Sequence, residues 1–72
     1  MTANEMISQF CGRIHELRKK EKLSLTELAH RSGLPLEMLE SLECGILPEE
    51  MMVDDAFALA RAFHCKIYEL FK

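Results

Sequence analysis

From Gly33 to Ala60 the chain contains no lysine or arginine. A surface built from that stretch has no cation of its own with which to neutralise phosphate. The formal net charge is −3, whereas a stand-alone nucleic-acid binder is usually basic. No apolar run approaches the roughly 20 residues that a membrane span needs. The start, Met1-Thr2-Ala3-Asn4-Glu5, lacks the basic and apolar regions of a secretory signal. A cytoplasmic location and no membrane partner are therefore expected. Cysteine is sparse: Cys11, Cys44 and Cys65 are odd in number, far apart and include no CxxC pair. That argues against a disulfide framework or a zinc site and for reduced thiols in or near the core. No segment alternates with period two over a useful length, so no strand is expected. There is no linker, internal repeat or low-complexity stretch. With 72 residues the chain suffices for a single domain, 1–72, which buries roughly 60% of its unfolded surface. A deep catalytic cleft beside a separate binding domain does not fit in that length.

What is present is helical. Thr2-x-x-Glu5 has the pattern of a capping box, and Ile7, Phe10, Cys11, Ile14 and Leu17 then recur at spacings of three and four, one apolar stripe of a first helix. It ends in a basic turn, Arg18-Lys19-Lys20, where cations suit the helix dipole. Ser24-Leu25-Thr26-Glu27 is a second capping box, opening a short helix with Leu28 and Ala29 on its apolar face. Gly33 is the left-handed residue that stops it. Leu34-Pro35 makes the turn, and proline is tolerated where the next helix begins because its missing N–H would be unpaired there. The third helix, from about Pro35 to Glu43, spaces Leu36, Leu39 and Leu42 by three, and Gly45 closes it. Ile46-Leu47-Pro48 is a short connection whose apolar pair is expected to pack. Val53, Ala56, Phe57, Ala60 and Phe63 mark the expected buried side of a fourth helix, with Asp54 and Asp55 in its first turn. A last short turn returns Ile67, Leu70 and Phe71 to the core.

Two short helices joined by Gly33-Leu34-Pro35, with Leu28, Leu34, Leu39 and Leu42 able to lock them at a fixed angle, satisfy the requirements of a helix-turn-helix. The expected fold is all-α: a compact five-helix domain with a central helix-turn-helix between Ser24 and Gly45. "RIHELRKKEKLSLTELAHRSGL" followed by "LESLECG" resembles the Cro and phage-repressor type of domain, the XRE family, whose fold is lambda-repressor-like. "ALARAFHCKIYELF" resembles that family's fourth and fifth helices. The resemblance covers roughly Phe10 to Phe71. It implies a structural ion pair between Arg18 and Glu43. It implies that DNA is met by the start of the third helix with help from the second, which places Thr26, Leu36, Glu37, Met38 and Ser41 on the DNA-facing side.

Those positions depart from the usual readers of base edges, which are Arg, Lys, Asn or Gln. Glutamate accepting from cytosine N4 is a minor mode, and its repulsion from phosphates must be offset by cations elsewhere. The available cations are Arg13, Lys19, Lys20, Lys22 and Arg31. Leu25, Leu36 and Met38 put apolar groups where the family shows polar ones. Exposed together they would form a sticky patch of the kind that marks protein contacts; otherwise they belong to the core. His15, His30 and His64 fall on three different elements, and no His, Asp or Glu set has ligand spacing on one helix face, so no metal, cofactor or enzyme activity is expected. Glu49-Glu50 and Asp54-Asp55 do not match a calcium loop. Two readings follow. The first is a transcriptional regulator binding double-stranded DNA through its third helix as a homodimer; Phe57, Phe63, Tyr68 and Phe71 would supply its aromatic interface if exposed, but in so small a domain such residues are more often the core itself. The second is a module that keeps the fold but binds a protein partner through its acidic and apolar third-helix face.

Overall fold

The computed structural model describes residues 2–71; Met1 and Lys72, the outermost positions of the expected domain, lie outside the described residues. Four α-helices follow one another: α1 (Ala3–Lys20), α2 (Leu25–Ser32), α3 (Leu36–Glu43) and α4 (Val53–Ala62). A 3-10 helix, Ile67–Phe71, is the fifth element. No strand occurs among the described residues.

Local chemistry explains each boundary. Thr2 Oγ1 accepts from the Glu5 amide at 3.2 Å and starts α1. Ser24 and Glu27 close a reciprocal box at α2, with Glu27 N to Ser24 Oγ at 3.1 Å and Ser24 N to Glu27 Oε1 at 3.0 Å. At α4 only half of such a box forms, from the Met52 amide to Asp55 Oδ2 at 2.9 Å. Three helices end alike, in a left-handed residue followed by a backbone bond reaching back five positions: Leu23 to Arg18, Ile46 to Ser41 and Cys65 to Ala60. The left-handed residues are Lys22, Gly45 and His64. At α2 the left-handed residue is Gly33, with φ +78°, whose amide bonds to Ala29 O.

One core joins every element. Leu28, Leu39, Leu42, Leu59 and Leu70 are its fully buried side chains, and Phe10 and Ile14 enter from α1. Leu28 and Leu34 meet Leu39 and Leu42 within this core, so α2 and α3 are held as a unit. α1 packs on α3 and on the 3-10 helix, while α4 packs on α2 and on the 3-10 helix.

The expected faces need four corrections. Phe71, expected in the core, is 44% exposed and only stacks on Phe10 at the core's edge. On α4 the inward side is Ala58, Leu59, Ala60 and Ala62, while Val53 is 71% and Phe57 43% exposed. The pattern admits two stripes rotated against each other, and the alanine-rich one lets α4 approach both α2 and the 3-10 helix. Only Ala60 and Phe63 of the expected face are buried; Ala56 packs at its edge. In the connection after α3, Ile46 and Leu47 stay exposed and Pro48 turns inward instead. Among the cysteines, Cys11 is buried, where burial pushes its thiol up, and Cys65 is half-buried, but Cys44 is exposed at the end of α3. All three are free thiols.

Candidate nucleic-acid interface

In a helix-turn-helix the second helix lies in the major groove and its N-terminal residues meet the base edges. Here that helix is α3. Pro35 precedes it in an extended conformation with no side-chain cap, so the first turn presents its amides without an internal partner side chain. Leu36 is 39% exposed, and Glu37 and Glu40 are exposed. Ser41 is half-buried and its hydroxyl donates to Glu37 O at 3.2 Å. Thr26 is exposed in the first turn of α2, just after the capped Ser24. Hydrogen bonds from the Ser24 backbone and side chain hold the Glu27 carboxyl below its usual range.

Met38 does not belong with these residues. It is 6% exposed and part of the core, because it lies on the same side of α3 as Leu39 and Leu42. This removes it from the DNA-facing set. Leu25 is half-buried against the core as well. The apolar patch envisaged on α3 for a protein partner therefore reduces to Leu36 alone.

The cations divide into two groups. Arg13 Nε donates to Glu69 O at 3.0 Å and its guanidinium lies 3.5 Å from Glu16, which ties α1 to the 3-10 helix. Arg31 donates to Ala62 O at 3.5 Å, at the end of α4, and lies 3.9 Å from Glu21. Lys19 and Lys20, in the last turn of α1, and Lys22 just beyond it are exposed and enter no ion pair among the described residues. They are exposed basic residues at the end of α1, whereas α3 itself carries no lysine or arginine.

Behind α3 sits its anchor. Arg18 Nε donates to Glu43 Oε1 at 2.5 Å, and Arg18 Nη1 donates to Leu23 O at 2.8 Å. His15 Nδ1 lies 2.6 Å from Glu43 Oε2. The Arg18 and Glu43 side chains are only 16% and 17% exposed. Burial works against ionising Glu43, but hydrogen bonds from Arg18 and His15, and their charges, outweigh it and hold the carboxyl below its ordinary value. The group ties the middle and end of α1 to the last residue of α3 and so sets how α3 projects. His15 was absent from the expected pair. Its place one turn before Arg18 was the available signal, but a partner on α3 is not visible in the α1 sequence.

Exposed apolar surface lies away from α3. Met6, Leu47, Met52, Val53 and Phe71 border a groove of about 380 Å³ between the starts of α1 and α4. Phe71 stacks on buried Phe10, with ring centroids 5.1 Å apart. Of the four aromatic residues weighed between core and interface, the core takes Phe63, whereas Phe57, Tyr68 and Phe71 are exposed. No group of three or more His, Cys, Asp or Glu residues that could hold a metal ion occurs among the described residues. No helix among them is long and apolar enough to cross a membrane.

A rigid α2–α3 pair with an outward α3, braced by α1 and closed by α4, defines a small helix-turn-helix regulator. The crystal structure of the restriction-modification controller protein C.AhdI from Aeromonas hydrophila matches it with a TM-score of 0.80 and 31% sequence identity, over 90% of this chain and 96% of that one. No protein-family model matches the chain, and no curated protein does. The chain belongs to the Cro and phage-repressor type of helix-turn-helix family, the XRE family.

Proposed function

We propose that this regulator binds double-stranded DNA as a cytoplasmic homodimer, with α3 in the major groove and Thr26 at its margin. The observation that carries the reading is the braced α3, whose outward residues Leu36, Glu37 and Glu40 have no internal side-chain partner among the described residues, in a chain so close to a controller protein. That likeness also supports gene control of the same kind. Lys19, Lys20 and Lys22 are the phosphate contacts, and Arg31 adds a weaker one because its guanidinium is already shared with Ala62 and Glu21.

Three lysines per subunit supply little counterion release against an acidic recognition helix, so one subunit alone binds weakly. Two subunits on half-sites about 34 Å apart double the contacts. The apolar groove at Met6, Leu47, Met52, Val53 and Phe71 is the surface for the second copy, since contiguous exposed apolar patches rimmed by polar residues mark protein contacts. Fluorescence anisotropy with random and genomic duplexes, titrated from about 50 to 200 mM salt, tests the reading. Binding that weakens steeply with salt is expected; no binding even at the lowest salt refutes it.

A further inference from the structure

We infer that Glu37 and Glu40 make this protein select cytosines on adjacent base pairs of its half-site. The inference rests on the DNA-binding reading above and specifies its chemistry.

The geometry of α3 leaves little choice. Met38, Leu39 and Leu42 are buried and set the inward direction of the helix. At about 100° per residue, the opposite direction falls between Glu37 and Glu40. Leu36 and Ser41 lie to either side. Both glutamates are exposed, and neither side chain enters an ion pair or hydrogen bond among the described residues. α3 carries no cation. Any approach of this helix to a major groove therefore leads with two carboxylates.

A carboxylate only accepts hydrogen bonds. In the major groove guanine shows two acceptors, and thymine shows an acceptor and a methyl group. Donors come only from cytosine N4 and adenine N6, and adenine sets its N7 acceptor beside the donor. Guanine and thymine at a contacted position thus repel Glu37, adenine half-repels it, and cytosine satisfies it. The same repulsion acts on phosphates, so the lysines at the end of α1 hold the protein near DNA generally while the glutamates penalise most sequences. Glu37 and Glu40 are separated by about 4.5 Å along the helix axis, close to the roughly 3.4 Å step between base pairs. They address neighbouring pairs. Ser41 adds little discrimination, because its hydroxyl proton is engaged by Glu37 O.

The test is selection of binding sites from a randomised duplex pool by wild type and by Glu37→Gln, with circular dichroism to check that both fold. Glu37 is exposed on the helix surface, so the substitution keeps the fold. Wild type is expected to select half-sites with a cytosine whose change to thymine weakens binding roughly five- to hundredfold. Glu37→Gln is expected to shift that position toward adenine, which glutamine pairs at N6 and N7, and to bind random DNA more tightly. Sites without a dependence on cytosine, or an unchanged base preference in Glu37→Gln, overturn the inference while leaving DNA binding intact. Failure of wild type to bind any duplex at low salt overturns the DNA-binding reading itself, and the inference with it.

Discussion

Replacing Arg18 by methionine keeps much of the side chain's bulk and removes its charge. Arg18 holds Glu43 across α1 and α3 and also caps Leu23 O. Both members of the pair are more than four-fifths buried as side chains, so solvent screens them little. Removing one partner of a buried pair typically costs 3–5 kcal/mol. Here His15 remains on Glu43, which argues for the low end, about 3 kcal/mol. A chain of this length has a total stability of about 4–11 kcal/mol, so the loss is a large share of it. The expected drop in Tm is roughly 12–24 °C.

Urea denaturation at neutral pH measures this directly, with an unchanged m-value showing that the unfolded state is unaltered. The pair Arg18→Met with Glu43→Leu is expected to cost less than Arg18→Met alone, because no carboxylate is then stranded. The pH dependence has a definite sign. In the wild type the Glu43 carboxyl lies below its ordinary value of 4.5. Its contribution is present above that value and is lost as pH falls through the folded-state pKa. In Arg18→Met the largest opposing effect, burial, is less well countered. The gap between wild type and variant therefore narrows as pH falls below the ordinary value. A cost under about 1 kcal/mol, in the range of an exposed pair, would refute the reasoning, as would a gap that widens in acid.

Gly33→Ala forces a side chain into a left-handed residue with φ +78°; no heavy atom beyond its chain neighbours lies within 4 Å of the added methyl, so the cost is backbone alone. It is expected to be about 1–2 kcal/mol by chemical denaturation. Lys19→Gln with Lys20→Gln removes two proposed phosphate contacts. The slope of log K against log salt should fall by about 3.6 for the dimer, about 0.9 for each of four lost contacts, in anisotropy titrations, with base preference unchanged. Val53→Glu places a charge on the 71% exposed rim of the apolar groove without touching the core. In sedimentation it should turn a dimer into a monomer and weaken DNA binding while leaving the helical spectrum intact.

The local half of this protein was legible in its residues. Ser24 and Glu27, Gly33, Pro35 and Gly45 act within three or four positions of themselves. Their hydrogen bonds and backbone angles depend on neighbours in the chain, so they bound α2 and α3 whatever surrounds them. The spacing of Leu39 and Leu42 likewise put both in the core. The rotational phase of each helix is a different kind of quantity. On α4 two stripes competed, and the stripe that buries Leu59 wins because α2 and the 3-10 helix both close on its alanines. That choice leaves Val53 and Phe57 exposed and creates the apolar surface. Met38 turns inward because α3 packs on both α1 and α2, which leaves two glutamates at the front of the recognition helix. His15 joins Arg18 and Glu43 only because α1 crosses α3 there. Capping and turn chemistry decided from the sequence that the chain would form a helix-turn-helix; packing between distant segments decided which side chains α3 and α4 would leave at the surface.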